Sequence, residues 1–385
     1  MSKITSVTEY LKIIQEVEFK NNLFFRGHAV DSYVLKPGIY REINHGKTLI
    51  DYEDQIYREV ISKSPQEFAG KTTLESLALL QHYDAPTRIL DLTENALVAL
   101  FFAVNSKHEE EDGEVIAFDI PDNSVCHYNS DRITVLANIA KCDMYFHYSS
   151  ELVAVYRNKI TYLKSKKQNN SLPELQNYNE SISIFFNNTH KEIEEKFCIT
   201  DEFELNNYQE NLIYLRKKFE TKFEQLDDEN FITFENKYLN MLIGILQRGV
   251  IFSIEQCNHK YFGKLLHNIR EDKNYFDGII DPEHISKTFA VRPKLDNPRI
   301  IRQQGAFLIF GVNEVPFPNF SENKPMAELN KEWIIKSEKE RIIIDKDYKN
   351  SIIKELEQLG INQSVLFPEV DKVADFVRNK YQNKI

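Results

Sequence analysis

Residues 72–104 set two strongly apolar stretches on either side of a dense polar run, Gln81-His82-Tyr83-Asp84-Ala85-Pro86-Thr87-Arg88-Ile89-Leu90-Asp91-Leu92-Thr93-Glu94-Asn95. Leu74, Leu77, Ala78 and Gln81 recur at helical spacing, and Thr72 with Glu75 has the form of a capping box, so a helix is predicted to start there. Pro86 keeps Ala85 out of the helical region, which stops that helix near Asp84 and releases an extended segment over 87–92. A second helix follows, with Thr93 as its expected N-cap. Leu97, Leu100, Phe101 and Val104 line one face and Ala96, Ala99 and Ala103 another, so this helix should be buried almost all round. Arg88 and Asp91 are then expected at the mouth of a packed core, where a cation and an anion need partners or a ligand.

The same patterning places further elements. Val7, Tyr10, Leu11, Ile14 and Val17 mark a helix over 6–20 with Ser6 and Glu9 at capping-box spacing. Leu23-Phe24-Phe25-Arg26-Gly27-His28 reads as an aromatic strand whose Arg projects into a pocket and whose Gly admits another backbone or a ligand. Pro37-Gly38 suggests a type II turn. Residues 49–64 read as a helix with Tyr52, Ile56 and Val60 on one face and Glu53, Arg58 and Glu59 among its charges. A strand over 114–119 ends before Pro121, and the apolar run up to Phe310 is a buried strand entered through Asn297, Arg299, Arg302, Gln303 and Gln304. Met241 to Gly249 reads as an apolar helix ended by the glycine.

From about 143 the sequence turns rich in Asn, Lys, Glu, Tyr and Phe and poor in Gly and Pro, with a low-complexity polar patch at 164–171. The expected class is α+β: a small mixed or antiparallel sheet, with strands near Phe25, Leu90, Ile116 and Leu308, flanked by helices and interrupted by a mostly helical insertion. The expected divisions are 1–142, an insertion over 143–240, the second half of the core over 241–320, and a C-terminal helical cap over 321–385.

Charge and cysteine usage narrow the chemistry. The balance of 48 basic against 59 acidic residues, net -11, argues against non-specific binding to a phosphate backbone. Four separated cysteines form no CxxC pair, and no histidine stands at zinc-finger spacing, so no disulfide framework and no metal site is indicated. The start lacks an apolar signal core and no window approaches the length of a membrane span, so a soluble cytoplasmic protein without a membrane partner is expected. There is no P-loop, no Rossmann glycine triplet, no His-Glu-x-x-His and no Gly-x-Ser-x-Gly.

Phe25-Arg26-Gly27, the block from Leu77 through Gln81-His82-Tyr83 and Pro86-Thr87-Arg88-Ile89-Leu90-Asp91 to Ala103, and the segment from Asn297 to Phe307 together resemble the FRG domain. That family is named for its Phe-Arg-Gly motif, and its further marks are similar to Gln-His-Tyr-Gly-x-Pro-Thr-Arg-Leu-Leu-Asp-Trp-Thr and a late Asn-x-Arg-x-x-x-Gln-x-Gly-x-Phe. The likeness covers residues 20–125 and 245–315. Asp84 stands where the family has Gly, and Leu92 where it has Trp. The aromatic-Arg-Gly strand end is also similar to the NAD-binding start of arginine-type ADP-ribosyltransferases. That second resemblance implies that Arg26 clamps NAD, that His28 and Tyr83 flank nicotinamide or ribose, and that a late strand polarises the ribose hydroxyl. Such enzymes carry a glutamate there; this chain offers Gln303-Gln304-Gly305, and a glutamine cannot balance an oxocarbenium charge as a carboxylate does. Asp91 or Glu94 would have to substitute.

Two functional readings and a structural one follow. The first is a nucleotide-binding pocket of an ADP-ribosyltransferase-like or NAD-cleaving effector in bacterial anti-phage defence. Its expected catalytic residues are Arg26, His82, Tyr83, Asp91 and Gln304. Arg26, Gly27, His28, Thr87, Arg88, Arg299 and Arg302 would hold NAD, and a macromolecule would serve as acceptor. The alternative is a non-catalytic module that binds a nucleotide, a nucleic-acid end or a phage protein in the same pocket. The structural reading makes Gln81, His82, Arg88 and Asp91 a buried network that fixes the fold.

Overall fold

The computed structural model describes residues 3–43, 46–105, 110–168, 228–315, 324–335 and 341–382. Its helices are α1 (Val7–Glu16), α2 (Glu53–Lys63), α3 (Thr73–His82), α4 (Ala96–Val104), α5 (Asp131–Asn138), α6 (Glu151–Gln168), α7 (Asp228–Tyr261), α8 (Gly263–Asp272), α9 (Pro298–Gln303), α10 (Lys349–Gln358), α11 (Gln363–Leu366) and α12 (Val370–Gln382), with shorter turns between them. The strands are β1 (Asn22–His28), β2 (Ile89–Thr93), β3 (Gly113–Ile120), β4 (Val125–His127), β5 (Thr288–Arg292), β6 (Gly305–Phe310) and β7 (Ile342–Ile344).

These seven strands form one mixed sheet in the order β4-β5-β6-β2-β1-β3-β7, and the fold is α+β as expected. Neighbours are antiparallel except β4 and β5, which run parallel. The four strands anticipated near Phe25, Leu90, Ile116 and Leu308 are the adjacent central strands β1, β2, β3 and β6. Alternation along each strand sorts its side chains to two faces. Ile89, Phe307, Ile309, Phe289 and Val291 meet α3, α5 and α8, while Phe25, Val115 and Ala117 meet α1, α4 and α10. Phe24, Leu90, Leu92, Ile116, Phe118 and Leu308 face the other way, under Leu35, Met326, Leu329, Trp333 and Ile334 from irregular segments. Helices thus cover one face and loops the other.

Local departures from expectation have identifiable causes. α1 stops at Glu16, because the chain turns to let the amides of Lys20 and Asn21 donate to Asp119 at 3.0 and 2.9 Å. Pro37-Gly38 opens a 3-10 turn over Gly38–Tyr40, and Gly38 is absent from the positive-φ glycines, so the turn is not type II. A Cβ at Gly38 would lie 3.3 Å from Cα of Pro86, so the glycine serves close approach of two backbones. α2 turns Glu53 and Tyr57 inward, leaving Tyr52 54% exposed. Asn95, not Thr93, caps α4: its Oδ1 accepts from the amides of Leu97 and Val98, while Thr93 remains in β2.

The helix through Gly249 does not end there, because α7 continues to Tyr261. A Cβ at Gly249 would come within 2.8 Å of the Tyr156 ring, so this glycine lets α6 pack closely on α7. Most of the insertion expected over 143–240, including part of the polar patch at 164–171, lies outside the described residues; α6 and α7 are its described flanks. The region expected as a C-terminal cap supplies β7, α10, α11 and α12, and Ile352, Leu356 and Leu366 enter the core beside α4. No described helix is long and apolar enough to cross a membrane.

Candidate functional site

Arg26 lies on the loop-covered face of β1, two residues beyond Phe24. Its Nε donates to His28 Nε2 at 2.9 Å and its Nη1 to the carbonyl of Asp91 at 2.6 Å. Both contacts orient the guanidinium without neutralising it. No carboxylate of a described residue is within ion-pair distance, and Nη2 makes no hydrogen bond to a described residue. Burial pushes the guanidinium down to about 10, against the pull of the Asp91 charge.

The register sets Arg26 opposite Ile116 and His28 opposite Glu114. Glu114 and Ile116 form the floor of a groove of about 310 Å3, walled by Tyr33, Leu35, Ile334 and Arg341. Arg26 therefore adjoins this groove along the sheet. Burial would raise Glu114, but His28 and Arg341 together hold its carboxyl below the usual range. Gly27, on the opposite face, lies under α4: a Cβ there would sit 2.0 Å from the carbonyl oxygen of Ala99. The close approach expected of this glycine is to a backbone.

Arg88 occupies a different site. It is 0% exposed, donates to Glu53 through Nε at 2.7 Å and through Nη2, and donates through Nη1 to the carbonyl of Phe310 at 3.0 Å. Lys324 Nζ reaches the same Glu53 carboxylate at 3.1 Å and also the carbonyl of Cys142. Burial alone would raise Glu53, yet the two cations hold it below its ordinary value. The charge of Arg88 is thus met within the core.

On the helix-covered face, Asp91 lies between Ile89 and Thr93 and opposite Phe307. Its Oδ2 accepts from Gln81 Nε2 at 2.9 Å, and Gln81 Oε1 accepts from Thr87 at 2.7 Å. The structure brings the Asp91 carbonyl to Arg26 and the Asp91 carboxylate to the other face. His82, at the end of α3, is half-buried. Burial and the neighbouring Arg299 push it down to about 4, so its ring is neutral. Its Nδ1 faces Asn297 Nδ2 at 3.4 Å.

Arg299 donates to the carbonyl of His82 at 2.9 Å, lies 4.5 Å over the Phe367 ring and stands 3.7 Å from Glu369. Arg302 and Gln303 donate to the carbonyls of Val365 and Leu366, tying α9 to α11. Gln304 is the left-handed C-cap of α9, φ 45, with an exposed side chain. Tyr83 is 65% exposed. Glu94 pairs on the surface with Arg292 at 2.9 Å.

The family model of the FRG domain matches residues 21–112, the stretch that holds both oriented arginines, the Gln81–Asp91 link and the glycine under α4. The chain carries an FRG domain. No curated protein and no solved structure matches it. In this FRG domain Asp84, where the family pattern has Gly, takes φ 61. That left-handed conformation accounts for a glycine preference, and Asp is among the few other residues that adopt it readily.

Four residues that reach the FRG motifs carried little or no local signal in the sequence. Glu53, 35 positions before Arg88, pairs with it, Lys324, 236 positions after it, shares the same carboxylate, and Glu114 and Arg341 stand behind His28. Glu114, Lys324 and Arg341 lie outside the matched stretch. A charge just inside an apolar strand was the only hint at Glu114.

Proposed function

We propose that the FRG domain binds a phosphate-bearing nucleotide in the groove beside Arg26, with NAD the first ligand to test. The observation that carries this reading is Arg26 itself. It is a half-buried guanidinium without an ion-pair partner among the described residues, held by two hydrogen bonds that leave Nη2 open, beside a groove of about 310 Å3. Cations in such positions gain most from an anionic ligand, and a guanidinium fork suits phosphate geometry. Arg88 is not part of this reading, because Glu53 already neutralises it.

A non-catalytic module is favoured over a transferase. The carboxylate of Asp91 lies on the face opposite Arg26, and the side chain of Gln304 is exposed at the end of α9. One observation supports ADP-ribosyl transfer or NAD cleavage as the second reading: Glu114, a buried carboxylate held ionised, does share that face. Calorimetry of the full chain with NAD, ADP-ribose and pyrophosphate tests binding, and NAD consumption measured in parallel separates module from enzyme. Binding that is lost in folded Arg26→Ala supports the reading. Absence of binding by the wild type, or equal binding by Arg26→Ala, would sink it.

A further inference from the structure

His28 is 2% exposed and stands between a cation and an anion on neighbouring positions of the sheet. Because Arg26 Nε–H donates to Nε2, that nitrogen must offer a lone pair, and the ring proton belongs on Nδ1. Among the described residues Nδ1 has no hydrogen-bond partner, and Glu114 Oε2 is 3.7 Å away, close enough for charge attraction but long for a hydrogen bond. The other carboxylate oxygen of Glu114 accepts from Arg341 Nε at 2.6 Å, and Arg341 Nη2 donates to the carbonyl of Asp31. Arg26, His28, Glu114 and Arg341 are thus linked from β1 across β3 to the start of β7.

We propose that Glu114 is a positioning residue for Arg26: acting through His28, it keeps the imidazole proton on Nδ1 and so leaves Nε2 as the fixed acceptor that sets the plane of the guanidinium. The role in ligand binding rests on the nucleotide reading above; the tautomer does not. An outer carboxylate that fixes which ring nitrogen is protonated acts in the same way on metal-bound histidines.

The arrangement is sensitive to acid. The groups facing His28 are Arg26 on its own strand, Glu114 on β3, Arg41 after the 3-10 turn and Tyr33 edge-on at 6.0 Å, with Arg341 behind Glu114. A protonated His28 would turn a second N–H toward the Arg26 donor and place like charges side by side. Burial keeps His28 neutral to below its ordinary value of 6.5, with Arg26 and Arg41 acting in the same sense against Glu114. Affinity at Arg26 is therefore level above that value and falls as the solution is made more acid.

The test uses the full chain with isotope-labelled histidine, the ring nitrogens of His28 being assigned by comparison with His28→Gln. Wild type, Glu114→Gln and Glu114→Leu are compared by NMR, by melting curve, and by calorimetry with pyrophosphate and NAD as probes. The wild type is expected to carry its proton on Nδ1. Glu114→Gln loses the charge and leaves one acceptor oxygen for the two donors, so it should shift the tautomer and weaken binding, though less than Glu114→Leu, which should move the proton toward Nε2 and weaken pyrophosphate binding about tenfold.

A proton on Nε2 in the wild type overturns the proposal, as does a folded Glu114→Leu with unchanged tautomer and affinity. If neither probe binds the wild type, the nucleotide reading fails by itself and the tautomer comparison decides the role of Glu114. If Glu114→Leu does not fold, Glu114→Gln decides, an unchanged tautomer and affinity there overturning the proposal.

Discussion

Arg88 and Glu53 form a two-point ion pair inside the protein, the guanidinium 0% exposed and the carboxylate 3%. Lys324 shares the carboxylate and Tyr40 hydrogen-bonds the Lys324 carbonyl at 3.2 Å, so four separate chain segments meet at one charge cluster. Removing Glu53 leaves two buried cations without a counter-charge, whereas removing Arg88 still leaves Glu53 paired with Lys324. Glu53→Ala is expected to destabilise the fold by about 3–5 kcal/mol and Arg88→Ala by distinctly less, measured as the shift in a urea unfolding curve. Replacing Arg88, Glu53 and Lys324 together by apolar residues of similar size should recover a large part of that loss. A triple variant no more stable than the worst single one would show that the cluster contributes more than neutralisation.

The same cluster gives the protein an acid limit. Glu53 has a folded value below its ordinary 4.5, so the unfolded chain takes up the proton first as pH falls. The stability it contributes is fully present above about 4.5 and is lost as pH drops toward the folded value. Unfolding curves recorded below that pH should flatten in slope for Glu53→Gln relative to the wild type; parallel curves would place the acid sensitivity elsewhere.

Gly27→Ala tests the contact between β1 and α4. The new Cβ would sit 2.0 Å from the Ala99 carbonyl oxygen and 2.8 Å from the Ala103 nitrogen, both backbone atoms that cannot rotate away. Overpacking of this kind typically costs about 1–3 kcal/mol, and a backbone clash belongs at the upper end. A thermal melt checks it. Gly38→Ala, whose nearest contact is 3.3 Å from Cα of Pro86, should be affected distinctly less.

These positions also mark what the sequence could and could not disclose. The central strands were legible because each is an unbroken or alternating apolar run flanked by turn signals. β4 and β7 span only Val125–His127 and Ile342–Ile344, too short for a period to register. The need for a small residue at Gly27 was legible, but its partner α4 was not, since contact across layers leaves no local trace. Glu53 read as one of several charges on a helix. Its burial depends on an arginine 35 residues onward, and no periodicity encodes such a pairing. The polar run 81–95 stands out in the sequence for its density, yet the sheet divides it between two faces: Thr87 and Asp91 join Gln81 on one, and Arg88 goes to the core cluster.

His82 provides a second titration, independent of Glu53. Its folded value of about 4 lies below its ordinary 6.5, because burial and Arg299 disfavour the charged ring. The unfolded chain binds the proton first on acidification, so stability from this group is complete above about 6.5 and declines between about 6.5 and about 4. Arg299→Gln should raise the His82 titration midpoint toward the ordinary value by removing the adjacent cation, read by NMR of the ring. A midpoint unmoved in a folded variant would assign the depression to burial alone.

Asp91→Asn separates the two faces of β2. The Gln81 amide donates to Oδ2 of Asp91, and the remaining side-chain oxygen of asparagine can accept the same bond, so the helix-side link survives. Arg26 touches Asp91 only through the backbone carbonyl, which the substitution leaves in place. Asp91→Asn is therefore expected to keep the fold and to hold pyrophosphate affinity within about twofold, the small change reflecting a lost distant charge. Arg26→Ala removes the charge-assisted hydrogen bonds to the ligand and should weaken the same binding by about 2 kcal/mol, roughly thirtyfold, with the melting temperature nearly unchanged. Should Asp91→Asn instead abolish NAD turnover in a protein that still binds NAD, the carboxylate on the helix side would have to reach the ligand. The binding-module reading would then give way to the enzymatic one.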